Sequence, residues 1–268
     1  MTAGIPIGSS ELTLEAGEVV TVYGALDLLT SEHAARPLRR LWFGADERRV
    51  PELQTRLSKW IGAERAHETS HSAQPPELAL PLSDAHLIHC SLVLSTELIS
   101  SEEEYKERAG SFREEAVVLA AAVTDAVLHL PATVRLPADV PEPASPAHEP
   151  SPLKVAEARL VHASLVHVLG RAGTPAVVWL WLGVDAPEGH RLAETFEEAI
   201  ASAEASGARR VPLDADSVHP AYCALVLATR LIPSEMAYHR ETGRFKDDAR
   251  RAGITIMRDL RTHAAGDQ

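Results

Sequence analysis

The 268-residue chain is 45% apolar and 24% charged, a globular composition that excludes a largely disordered protein. Two cysteines and 15 glycines exclude a disulfide-dense or collagen-like chain, and an aromatic content of 4% disfavours an all-β sandwich or barrel. The 38 acidic residues outnumber the 26 basic ones, a formal net charge of -12 that repels phosphate backbones and disfavours nucleic-acid binding.

The N-terminal stretch lacks a basic and an apolar segment in signal-peptide order, so a cytoplasmic location is expected. A first helix is predicted over 16–30 and a second over 34–43. The latter begins the one arginine-rich stretch, Arg36, Arg39, Arg40, Arg48, Arg49 and Arg56, which reads as a solvated face making ion pairs. A third helix is predicted over 47–64. The polar segment 66–78 reads as a loop, and His33, His67 and His71 read as surface residues. LALPL (78–82) reads as a brief extended piece outside any real sheet. A fourth helix is predicted over 84–99 and a long fifth over 101–129. In the fifth, Tyr105, Ala109, Phe112, Ala116, Leu119, Val123 and Ala126 follow a 4-3 spacing and make one seam. The longest apolar runs, near 116–123 and 176–184, fall well short of the roughly 20 residues that span a bilayer, so no membrane segment is expected.

Seven prolines in 131–152 exclude helix there and read as an interdomain linker. Beyond it the pattern returns, with helices predicted over 153–170, 174–183, 187–206, 217–231 and 234–262. Residues 86–116 align with 219–249 at a fixed offset of 133, without a gap, and 14 of the 31 positions are identical. About two identities are expected by chance at average residue usage. At an offset of 139, LWFGAD (41–46) aligns with LWLGVD (180–185), and 20–29 with 159–168. The chain therefore reads as an internal duplication. The expected architecture is all-α: two tandem homologous helical bundles, 10–130 and 153–264, of about five helices each, related as a pseudo-two-fold dimer.

The polar residues shared by the two copies are the candidate site. His86 and Cys90 are four apart on one helix, as are His219 and Cys223, so each pair shares a helix face. Together they offer the donors of a His2Cys2 zinc site if the two helices face each other. The competing reading has buried cysteines beside capping histidines. Trp42, Tyr105, Trp181 and Tyr238 are the candidate ligand-lining aromatics. No catalytic residue is assigned, because no nucleophile, phosphate-loop or metalloprotease motif is present. No cofactor is expected, and zinc is the one metal these residues suit. The expected function is a non-enzymatic binding or interaction protein using the cleft or surface between the copies. The alternative is a small-molecule- or metal-binding sensor or resistance protein. A protein or small-molecule partner is expected, with the chain a monomer or a homodimer.

Overall fold

The computed structural model describes residues 11–31, 36–68, 77–130 and 152–266. The linker 131–151, most of the loop 66–78, and His33 and His71 lie outside them, as does the side chain of His67.

Twelve helices and four short strands make up the described residues. They are β1 (Glu11–Leu14), α1 (Ala16–Ser31), α2 (Arg36–Phe43), α3 (Val50–Glu68), β2 (Leu78–Pro81), α4 (Ala85–Leu98), α5 (Glu102–Ala109), α6 (Arg113–Leu128), β3 (Leu153–Lys154), α7 (Val155–Arg171), α8 (Pro175–Leu182), α9 (Ala186–Ser206), β4 (Arg210–Val211), α10 (Ala215–Leu231), α11 (Glu235–Thr242) and α12 (Lys246–Gly266). The all-α expectation holds, and no helix among the described residues is long and apolar enough to cross a membrane.

Two local expectations need correction. The long helix predicted at the end of each half is two helices, so there are six per half rather than five. Gly110 and Gly243 take the left-handed conformation, with φ of 75° and 70°, and end α5 and α11. Glycine adopts that conformation without a Cβ penalty. Phe112 and Phe245 therefore sit in the turns, 42% and 49% exposed, although both lie in register with the apolar seam. Of the remaining seam residues Tyr105, Ala109, Ala116, Leu119 and Val123 are buried as the spacing requires and Ala126 is half-buried, while Tyr238, Ala249, Ala252, Ile256 and Leu260 are buried in the second half. Second, the extended pieces do pair. β1 and β2 form an antiparallel two-stranded ladder with Glu11 opposite Pro81, and β3 pairs with β4 with Leu153 opposite Val211.

The turn chemistry is the same in both halves. Ser101 and Ser234 accept the N–H of Glu104 and Ala237 at the starts of α5 and α11. Glu102 and Glu235 reach across the turn to accept the first N–H of the following helix, from Arg113 at 2.7 Å and Lys246 at 3.0 Å. Glu115 and Asp248 accept the N–H of Phe112 and Phe245. These contacts satisfy N–H groups that a helix start leaves without an intrahelical partner.

The chain divides into two compact units, Met1–Ala34 with Asp46–Asp139, and Ala35–Ala45 with Val140–Gln268. In the first, α1 packs on α3, α4, α5 and α6, and α4 packs on α6. In the second, α7 packs on α9, α10, α11 and α12, and α10 packs on α12. α4 and α8 are apolar and buried nearly all round, as befits helices enclosed by others. The second unit also takes in α2, which lies between α1 and α3 in sequence yet packs on α10 and α12. Its Leu38, Leu41, Trp42 and Phe43 are buried there. Arg40 adds an ion pair with Asp216 on α10.

The chain's charge is divided unevenly. The first unit holds 21 acidic and 9 basic residues and the second 17 of each, so the entire formal net charge of -12 belongs to the first.

Candidate functional site

The two His–Cys pairs lie in different units, His86 and Cys90 in the first, His219 and Cys223 in the second. All four side chains are buried. Cys90 Sγ lies 3.6–3.7 Å from the ring nitrogens of His86, and Cys223 Sγ 3.7–3.8 Å from those of His219. Both cysteines are free thiols. Within either unit, among the described residues, no third His, Cys, Asp or Glu joins its pair. Each pair thus offers two of the four ligands that a structural zinc takes.

His219 has a defined second role. Its Nδ1 lies 2.7 Å from the carbonyl oxygen of Leu41, and because a carbonyl only accepts, Nδ1 carries the proton. The imidazole thereby satisfies a carbonyl in the last turn of α2. Gly44 follows with φ of 58°, and a Cβ there would meet His219 Cδ2 at 2.8 Å. The histidine on α10 and the glycine after α2 therefore dock the helix together. His219→Ala is expected to destabilise the second unit by about 1–2 kcal/mol. Trp42, one residue from the capped carbonyl, would report loosening of α2 through its fluorescence. If instead a chelator lowers the melting temperature of the native chain, the pair holds a metal rather than a cap.

The four candidate aromatics are buried: Tyr105 in the first unit, and Trp42, Trp181 and Tyr238 in the second. The two tyrosines occupy corresponding places with different surroundings. Tyr105 OH bonds Ser95 Oγ on α4 at 2.9 Å. At the position corresponding to Ser95 the second half has Ala228, and the buried hydroxyls of Tyr238 and of Ser164 on α7 make no hydrogen bond. At the position corresponding to Ser164 the first half has Ala25. Burial pushes the Tyr238 phenol above its ordinary range.

Sequence reasoning did not find the acid at the centre of the first unit. Asp84, fully buried at the start of α4, pairs with Arg49 and accepts from Arg56 Nη1 at 2.8 Å. Arg49 also donates to the carbonyl of Ser83 at 2.8 Å and to its hydroxyl at 2.6 Å. The arginine-rich stretch is thus divided. Arg49 and Arg56 clamp α4, and Arg40 pairs in the second unit.

Two open grooves occupy corresponding places. In the first unit, a cavity of about 720 Å³ lies between the start of α1 and the α5–α6 turn with α6. Its charged residues are all acidic: Glu15, Glu18, Glu114 and Glu115. Phe112, Val20 and Val118 are exposed on its apolar lining. Burial pushes the Glu18 carboxyl up, and the Glu15 charge adds to this against the hydrogen bond from Glu15 N–H. Lys106 Nζ sits 4.0 Å from the Phe112 ring centre, so that ring already accepts a cation. In the second unit, a cavity of about 500 Å³ lies between the start of α7 and α12. Here Lys154, Arg244, Arg251 and Arg258 outnumber Glu157 and Asp248. Carried on at the same offsets, the two alignments set Glu15 opposite Lys154, Ser111 opposite Arg244 and Val118 opposite Arg251. The charged lining of the first groove is acidic, and that of the second is net basic.

No protein-family model, curated protein or solved structure matches the chain.

Proposed function

We propose that this is a non-enzymatic interaction protein built from two copies of one helical unit, and that the acidic groove of the first unit is its binding face. Support for the duplication is the recurrence of the same helix order, the same serine caps and the same cross-turn carboxylates at offset 133. The observation that carries the binding reading is the groove between α1 and α6: four carboxylates around exposed Phe112, Val20 and Val118. Apolar surface rimmed by one sign of charge suits a helical segment with basic flanks and an apolar tip. Trp42, Tyr105, Trp181 and Tyr238 are buried, and none is among the residues that line either groove.

The test is titration with a cationic amphipathic helical peptide. The native chain should bind it more weakly as salt rises. The Phe112→Asp, Glu114→Lys double variant should lose about tenfold in affinity while keeping its helical circular dichroism. Equal affinity for an anionic peptide with the same apolar pattern would refute the reading.

A further inference from the structure

We infer that the partner of the acidic groove is a second copy of this chain, which presents the basic face of α12 and its approach turn. The inference rests on the groove reading above and names its occupant. Three observations carry it. First, the exposed α12 face has the chemistry that the groove demands. Arg244, Arg251 and Arg258 are exposed, and Ile254 projects among them 56% exposed. That is a helical surface with an apolar tip and cationic flanks.

Second, the charge division selects the pairing. First units carry the whole net charge of -12 and repel one another, whereas the second unit is neutral overall with a locally basic groove. Contact between a first unit and a second unit is the combination that electrostatics favours. Third, the reversal is concentrated at corresponding lining positions. Where the first groove has Glu15, Ser111 and Val118, the second has Lys154, Arg244 and Arg251. Lys154, Arg244 and Arg251 are exposed, and Arg251 also pairs with Asp248 on its own helix at 3.8 Å. Each copy therefore carries one acceptor groove and one complementary face, the arrangement of a heterologous contact.

The experiment uses the full chain and two charge-reversal variants. In Glu15→Lys, Glu18→Lys, Glu114→Lys the groove becomes net basic, because only Glu115 of its four carboxylates remains. In Arg244→Glu, Arg251→Glu the α12 face becomes acidic. Masses are followed by sedimentation velocity up to about 100 µM at about 0.05 M and about 1 M salt. The native chain should associate at low salt and weaken at least about tenfold at high salt. Each variant alone should lose association by about a hundredfold, because its groove and face now carry the same sign. An equimolar mixture of the two should associate as the native chain does, since each groove again meets an opposite face. Circular dichroism verifies that both variants keep their helices. A native chain that stays monomeric at low salt overturns the inference, as do variants that self-associate normally or a mixture that stays dissociated. If the native chain stays monomeric yet its groove binds the cationic peptide, the self-association fails and the groove reading stands. If neither binds, both fail.

Discussion

Gly24→Ala should destabilise the first unit by about 3 kcal/mol, the cost of forcing bulk into a packed contact between helices. Gly24 lies on the buried face of α1, where α5 crosses. A Cβ added there would stand 1.8 Å from the carbonyl oxygen of Ala109 and 2.7 Å from its carbonyl carbon. Both are backbone atoms of the last turn of α5, so no side-chain rotation relieves the clash. α1 must move away from α5, and Tyr105 on α5 loses its fully buried seat. The helix-propensity gain of alanine over glycine, about 1 kcal/mol, offsets only part of this. The second half has Ala163 at the corresponding position in α7, so the close approach belongs to the first unit. Ala163→Gly should cost about 1 kcal/mol through propensity alone. Denaturant unfolding followed by circular dichroism compares the two, and equal small effects would refute the close-contact argument.

Asp84→Ala should cost about 2–4 kcal/mol in the first unit. The carboxylate has no exposure and receives two guanidinium groups, from Arg49 on the turn before α3 and Arg56 on α3. Its removal leaves both without their buried partner. Each guanidinium side chain is 32% exposed and regains some water, which keeps the loss from the upper extreme for buried pairs. Asp84→Asn keeps one acceptor oxygen but turns an NH2 donor toward the second guanidinium, and should cost about 1–3 kcal/mol. Burial is the largest influence on the Asp84 carboxyl and raises it above 3.8, against the pull of Arg49 and Arg56. A group raised in the folded state contributes stability that is complete below its unfolded value and declines as pH climbs through the raised value. The stability gap between the native chain and Asp84→Asn should therefore narrow as pH rises above 3.8. A gap that widens instead would show that the arginines outweigh burial.

Much of the local architecture follows from short-range signals. Apolar spacing of 3 and 4 located α1, α3, α4, α9 and α10 to within a few residues, because a helix that buries one face must repeat near 3.6. The repeated serines and glycines likewise mark helix ends, since a cap is chemistry within three or four residues. The break at Gly110 and Gly243 was missed for an instructive reason. The seam positions Phe112 and Phe245 keep the helical period through the turn, and periodicity cannot separate one long helix from two whose apolar positions stay in step.

Contacts between distant segments were decided by tertiary structure. Asp84 meets Arg49 and Arg56 from 35 and 28 residues away, and His219 reaches Leu41 across 178. An isolated acid or histidine in a sequence carries no mark of such a partner. The same holds for α2. Its apolar face announces that Leu38, Leu41 and Trp42 must be buried, and nothing in eight residues says which core receives them. The grooves divide between the two kinds of information. The exchange of Ser111 and Val118 for Arg244 and Arg251 is visible once the halves are aligned. That these positions line an open concavity beside the start of α1 or α7, while the aromatics lie inside, depends on how the helices pack. Amphipathic period and capping are properties of the chain within a few turns. Which faces meet depends on shape and charge matched across the whole unit.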